Sequence, residues 1–243
     1  MLRRARIALL FLFCVQSAFA HDPFILDARR PTPGPRLELI ELSAIGVQSE
    51  KRYRLHVGPG LPRGVVFGVF TKPFDHAFHE VEPGFQVDES GNLMSGEGRE
   101  AGARRRLDEI AFGTGRYPLG AAWEVALVSS DRAIRIFSKA IPYPIVASDG
   151  TCAVSLELSS HLGDRFVASG RGFPPGENVL TQLRYSGRLI EKQSRISPEG
   201  LLAPDLISHR AIGADRGARY TVKARSCEVS VEYDWGEPAL IRR

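Results

Sequence analysis

The best-marked catalytic signatures are missing from this sequence. There is no Gly-x-Ser-x-Gly elbow for a serine nucleophile, no His-Glu-x-x-His zinc motif and no glycine-rich phosphate loop opening a helix. Cysteine is scarce, with three in the chain, and if Cys152 and Cys227 pair then no mature thiol is left to attack a substrate. A dominant charge is lacking too. Three of the 32 basic residues, but none of the 28 acidic ones, fall in the first twenty positions, so the chain without them is close to neutral. Arg99 with Arg104, Arg105 and Arg106 is the one basic cluster of note, and it has no interleaved aromatic side chains on which bases could stack. It reads as a solvated loop open to proteolytic nicking, and no nucleic-acid partner is expected. Asp and Glu lie on strand-exterior phases, where they serve solubility and edge protection. No transmembrane segment is expected, because a span needs about 20 apolar residues and every apolar run here is shorter.

What is present begins with an address. Arg3, Arg4 and Arg6, the apolar run Ile7 to Phe13, and the small residues Ala18 and Ala20 have the order of a cleaved signal peptide over 1–20, leaving His21 as the mature N-terminus. Lipid attachment at Cys14 is the rival processing route, but Phe13 occupies the position where such motifs carry a small residue. The expected location is exported, periplasmic or secreted.

A turn is then written three times. Gly58-Pro59-Gly60-Leu61-Pro62-Arg63-Gly64, Gly113-Thr114-Gly115-Arg116-Tyr117-Pro118-Leu119-Gly120 and Gly170-Arg171-Gly172-Phe173-Pro174-Pro175-Gly176 each end in an apolar residue, Pro, any residue and Gly. A strand-like run follows each copy. Pro presets φ and Gly reaches conformations closed to other residues, so these turns launch β-strands.

The alternation of apolar and polar residues predicts C-terminal strands over 151–158, 164–169, 177–185, 188–196, 218–224 and 227–234, with a short one near 201–203. Ile207 to Arg219 reads as an exposed loop. Cys152 shares its phase with Val154, Leu156 and Leu158, and Cys227 with Val229, Val231 and Tyr233. Both thiols therefore face inward, and an exported compartment favours a disulfide between them over two buried free thiols. In the N-terminal half, Tyr53, Leu55 and Val57 alternate before the first turn, and Trp123, Val125, Leu127, Ile134 and Ile136 point inward across a hairpin at Ser130-Asp131-Arg132. Asp88 to Leu93 follows the first turn at about the distance at which Ser197 to Leu201 follows the third, which points to duplicated domains. The prolines of Ala140 to Ile145 mark a stiff junction.

Gly170 to Val179, with Pro198-Glu199-Gly200 later, resembles bacterial immunoglobulin-like sandwich repeats of exported proteins. The resemblance implies an all-β chain of two consecutive immunoglobulin-like β-sandwich domains: an N-terminal extension over 21–35, a first domain over 36–142, a linker over 143–150 and a second domain over 151–243. The resemblance leaves function open, since sandwiches host many unrelated activities; with no catalytic constellation in the sequence, the expected role is non-catalytic binding or structural, toward a macromolecular partner, protein or glycan, with no cofactor. Antibody-type domains differ in placing their Trp between the two Cys residues, whereas Trp235 follows Cys227.

Histidine supplies the alternative. A free α-amine and imidazole at His21 could chelate Cu(II), with His76 or His79 as further ligands. A mature chain starting with His is similar to copper-dependent polysaccharide monooxygenases and some periplasmic copper carriers, which implies a copper-binding or copper-oxidase protein. On a strand, His76 and His79 would face opposite sides; a turn could bring them together.

Overall fold

The structure, a computed structural model, describes residue 26 and residues 30–42, 50–96, 104–210 and 215–241. The expected signal peptide, Cys14 and His21 lie outside the described residues. Among the described residues there are sixteen strands and no α-helix, and every strand pairs with its neighbours in antiparallel fashion. Among the described residues no helix is long and apolar enough to cross a membrane.

The strands fall into two sets of two sheets. The first set comprises β1 (Leu37–Leu42), β2 (Arg52–Val57), β3 (Val66–Lys72), β4 (His79–Val87), β5 (Leu93–Ser95), β6 (Ala111–Gly113), β7 (Trp123–Ser129) and β8 (Arg135–Ala140), in the orders β1-β2-β6 and β5-β4-β3-β7-β8. The second comprises β9 (Ile145–Asp149), β10 (Cys152–Leu158), β11 (Arg165–Arg171), β12 (Asn178–Tyr185), β13 (Arg188–Arg195), β14 (Leu202–Ser208), β15 (Gly217–Lys223) and β16 (Glu228–Asp234), in the orders β14-β11-β10-β9 and β13-β12-β15-β16. Without β5 and β9, the two pairing diagrams are identical. β1-β2-β6 corresponds to β10-β11-β14, and β4-β3-β7-β8 corresponds to β13-β12-β15-β16. One pairing scheme therefore occurs twice in the chain, as the turn sequence recurs.

All three copies of the turn do one job. They carry the chain from β2 to β3, from β6 to β7 and from β11 to β12, each time from one sheet of a sandwich to the other. Where the copies are deepest, the apolar residue ahead of Pro plugs the end of the core: Tyr117 and Phe173 are buried, and Leu61 is half-buried. Gly172 shows why its position resists any side chain. Its φ is 75°, and a Cβ would sit 1.9 Å from the Thr151 carbonyl oxygen.

Period-two burial holds where one face of a sheet is wet. β10 and β16 bury Cys152, Val154, Leu156 and Leu158, and Val229, Val231 and Tyr233, as their alternation requires. Cys152 and Cys227 form a disulfide with a Cα–Cα distance of 6.5 Å. Cys227 lies in the tight turn closed by the Ala224 N–H donating to the Cys227 carbonyl, and this turn at Arg225-Ser226 separates the even buried phase of Tyr220 and Val222 from the odd one of Val229 and Val231. β7 breaks the alternation because both of its faces are covered. Trp123, Val125 and Leu127 enter the sandwich core, while Ala126 and Val128 lie under Leu26 with Phe70, Phe78 and Phe137.

Three expectations need correction. The stretch 143–150 is not a linker along most of its length, since Ile145–Asp149 is β9, paired with β10 from Ile145↔Leu156 to Asp149↔Cys152. Pro142 and Pro144 end the preceding strand but leave five residues free to pair, and Ile145 and Ala147 pack inward. The disulfide accordingly holds the second strand of its set, although the strands expected from the sequence put 151–158 first. The third correction is β14, which runs the full Leu202–Ser208 where only 201–203 was expected, and Ile207, assigned to an exposed loop, is buried. A register shift between Ala168 and Gly170 on β11 lets both Leu202 and Ile207 face the core from positions of opposite parity, which hides the strand from any period-two search.

The two sandwiches meet through backbone. The Gly120 N–H donates to the Tyr143 carbonyl at 2.7 Å and the Leu158 N–H to the Gly120 carbonyl at 2.9 Å, beside a parallel bridge between Ala121 and Leu158. The second copy of the turn thus docks on the end of β10. The buried side chains of both halves form one continuous cluster.

Candidate functional site

Each sandwich has a concavity at the same place, between the crossover turn and a second turn that closes a hairpin. In the second sandwich that hairpin turn spans Ser197 to Leu201: the Ser197 N–H donates to the Leu201 carbonyl at 2.9 Å and the Gly200 N–H to the Ser197 carbonyl at 3.0 Å. The first sandwich repeats it bond for bond, with Asp88 N–H to Asn92 carbonyl at 2.9 Å and Gly91 N–H to Asp88 carbonyl at 3.1 Å. The side chain at the first position also plays one part in both, since the Asn92 N–H donates to Asp88 Oδ1 and the Leu201 N–H to Ser197 Oγ. The correspondence between Asp88–Leu93 and Ser197–Leu201 is borne out in hydrogen-bond geometry.

The two concavities differ in chemistry. The first, about 330 Å³, is lined by His56, Gly58, Gly60, Ser90, Asn92, Arg106 and Asp108. Arg106 pairs with Asp108 at 2.6 Å, so this member of the basic cluster is pinned to a 3-10 turn over Leu107–Glu109 rather than free in a solvated loop. The second is a groove of about 740 Å³ on the outer face of the sheet β14-β11-β10-β9. Its floor is made of small residues on the two central strands: Ala153 and Ser155 on β10, Ser169 and Gly170 on β11. The Ser155 and Ser169 hydroxyls bond each other at 2.9 Å, which satisfies both without water. Larger apolar residues stand on the flanks, Val146 on β9 and Leu201 and Pro204 on and beside β14. The trough is a consequence of side-chain size, with small residues in the middle of a sheet and larger ones on its edge strands.

Arg171, Arg195 and Glu199 stand at one end of the groove. Among the described residues, neither guanidinium makes an ion pair. Glu199 is engaged by its own turn: hydrogen bonding from the Ser197 hydroxyl, then from backbone N–H, holds its carboxyl below the usual range. Val167 and Leu206 continue the apolar face along the strands, with Leu206 65% exposed. Beyond the far end Glu157 pairs with Lys139 of β8 at 2.8 Å, which ties that part of the face to the first sandwich.

The expected metal ligands are placed as follows. His76 lies in a turn, with its Nε2 3.2 Å from Asp75 Oδ1, and is largely exposed. His79 opens β4, with its Nε2 3.5 Å from Thr71 Oγ1. The expected turn at His76 is present, yet among the described residues no three His, Cys, Asp or Glu side chains gather as a metal site.

Sequence reasoning missed His209. It is 4% exposed, and its Nε2 lies 3.0 Å from the Tyr233 hydroxyl. Its ring stacks on Trp235 at a centroid distance of 5.0 Å and meets Tyr185 edge-on at 4.8 Å. Burial lowers its pKa to about 4, with the Asp164 carboxylate opposing, so the imidazole is neutral at physiological pH. Burial likewise raises the Tyr233 hydroxyl well above the usual range. Arg216 caps the cluster with its guanidinium carbon 4.7 Å from the Trp235 ring centroid. The single legible signal was Trp235 itself, a large residue at the end of an alternating strand. The chain matches no protein-family model and no curated protein.

Proposed function

We propose that the protein is an exported, non-catalytic binding protein that presents the outer face of its second sandwich to a macromolecular partner. The groove carries this reading, because a large concave apolar patch rimmed by unpaired cations on an otherwise charged surface is the feature expected of a docking face. The leader-like start and the disulfide support export, and both fit a periplasmic or secreted location. The immunoglobulin-like assignment is supported by the pairing diagrams. With β10 to β16 lettered A, B, C, C′, E, F and G, strands A, B and E form one sheet and C′, C, F and G the other, and β1-β2-β6 against β4-β3-β7-β8 repeats that scheme. The test is site-specific photo-crosslinking in the producing cell. A photoreactive residue at Leu201 or Val146 should trap a partner, whereas one at Lys223, on the opposite sheet, should not. Equal or absent trapping at the groove positions would reject the assignment of the docking face.

One observation favours a second reading, copper capture by His21. Leu26 packs in the same cluster as Phe78, which is adjacent to His79 and two residues from His76. His21 is five residue steps from Leu26, a reach of at most about 18 Å, so a mature N-terminus at His21 has the length to approach either imidazole. Stoichiometric, submicromolar Cu(II) binding, lost when one residue is added before His21 and weakened in His79→Ala, would establish this reading; weak, poorly defined uptake would reject it.

A further inference from the structure

Inspection of the groove's two ends leads to a partner chemistry. We infer that the groove takes a peptide segment carrying apolar side chains and an acidic residue, the carboxylate lodging between Arg171 and Arg195. The inference rests on the second sandwich being the docking face.

Four observations converge on that occupant. The first is charge. Arg171 ends β11 and Arg195 ends β13, so two guanidiniums brought from different sheets border one groove, and among the described residues neither has an ion pair. Guanidiniums bind carboxylates by paired N–H donors, and two of them at one site favour an anion over any neutral group. Glu199 adds one negative charge at the same rim, which leaves the two guanidiniums in excess there.

The second is shape. Val146 on β9 and Pro204 on β14 stand three strand spacings apart, about 14 Å, across a floor of Ala153, Ser155, Ser169 and Gly170. That width accepts one polypeptide segment with its side chains. A flat membrane surface could not reach the recessed floor. The third is hydrogen bonding: the floor hydroxyls of Ser155 and Ser169 satisfy each other, so the floor makes no demand on a polar ligand and suits aliphatic side chains. The groove also contributes no aromatic ring, which a sugar face would need for stacking, so a glycan is the poorer fit.

The fourth is directionality. The Glu157–Lys139 pair marks the end of the face nearest the first sandwich, while the arginines stand at the other. A bound segment therefore has its acidic residue at the outer end and its apolar residues over Ala153, Val167 and Leu206.

The experiment uses the mature chain from His21 onward and fluorescence anisotropy of labelled heptapeptides of alternating leucine and aspartate. Saturable binding is expected, weakened about tenfold when asparagine replaces aspartate and abolished when lysine does. The double variant R171E/R195E should lose binding altogether, and L201D should lose about tenfold, while K223E on the opposite sheet binds as the parent does. Thermal unfolding of each exposed-site variant verifies its fold. Equal affinity for the asparagine peptide, or binding that survives R171E/R195E, would overturn the inference. So would arginine-dependent binding to phosphatidylglycerol vesicles without peptide binding, or sedimentation showing that the groove is filled by a second copy. Crosslinking at Leu201 with no acid-selective peptide binding would retain the docking face and reject this chemistry.

Discussion

The two sandwiches share a pairing diagram apart from β5 and β9, and their differences separate what the two halves hold in common from what each has alone. Common to both are the crossover turn at 58–64 and 170–176 and the hairpin turn at 88–92 and 197–201. The crossover turn passes the chain from sheet to sheet in both halves, whereas the second turn joins β4 to β5 within one sheet and β13 to β14 across two. The disulfide, the added strand β9, the long β14 in place of the three-residue β6, and the apolar groove belong to the second sandwich. One substitution is more telling still. Three of the four crossovers of this kind use the Pro-Gly turn with its apolar plug, but the fourth, from β14 to β15, has no proline and buries His209 with Trp235 where the others bury Tyr117 or Phe173. The second sandwich therefore closes one end of its core with a titratable side chain.

The sharpest way to separate the halves is to reduce the disulfide. A loop of 75 residues corresponds to about 4 kcal/mol of chain entropy withheld from the unfolded state. The chain has two Trp residues, one per sandwich, so Trp123→Phe and Trp235→Phe variants report the two halves separately by fluorescence. Reduction should move the transition seen by Trp235 to lower denaturant and leave that seen by Trp123 nearly in place. Equal shifts would mean that the shared core at Gly120, Tyr143 and Leu158 makes the chain one cooperative unit.

Acid should act next, again on the second half alone. His209 has a folded pKa of about 4, below the ordinary value near 6.5, so between those values the unfolded chain binds the extra proton. The stability contribution is complete above about pH 6.5, is lost as pH falls toward 4, and changes no further below that. The full loss is about 3 kcal/mol. His209→Phe should flatten the Trp235-reported stability across this window while leaving the Trp123-reported profile unchanged. A His209→Phe chain as acid-sensitive as the parent would assign the effect to carboxylates instead.

Much of this comparison was legible in the sequence, and the illegible parts have physical causes. The inward phase of Cys152 and Cys227 could be read because their strands are wet on one face, and the crossover turns because proline and glycine have few other uses. β9 was hidden by the prolines before it, and β14 by Pro204 together with the register shift opposite Ala168 and Gly170. Pro204 is tolerated because β14 is an edge strand with one side unpaired. His209 looked like loop because charged and glycine residues follow it, and nothing local announces that Tyr185 and Tyr233, which lie on strands 24 residues away in each direction, will enclose it. The groove was invisible for the same reason. Its floor and flanks become neighbours only after four strands, β9, β10, β11 and β14, have paired.

A smaller effect tests whether the duplicated hairpin turn is duplicated in its tolerance. Gly91 and Gly200 hold the same position with φ of 86° and 76°, so alanine at either must adopt a left-handed backbone. Around Gly91 there is open space, but a Cβ at Gly200 would lie 2.8 Å from the Phe173 carbonyl oxygen. Gly91→Ala should cost about 1 kcal/mol, from backbone strain alone, and Gly200→Ala about 2 kcal/mol or more, because the crossover turn must also give way. Equal losses would show that the second sandwich yields at this contact.

The smallest expected effect concerns the seam between the halves. Lys139 and Glu157 pair at 2.8 Å with their side chains 58% and 32% exposed, and an ion pair so open to solvent contributes at most about 0.5 kcal/mol. A double-mutant cycle with Lys139→Met and Glu157→Gln should return a coupling within that bound and falling with salt. The seam is held by the two hydrogen bonds of Gly120 to Tyr143 and Leu158, which salt does not screen. Gly120→Ala would place a Cβ 2.9 Å from the Leu156 carbonyl oxygen and should bring the Trp123 and Trp235 transitions apart. A coupling above 1.5 kcal/mol in the cycle would instead make the ion pair the main tie between the sandwiches.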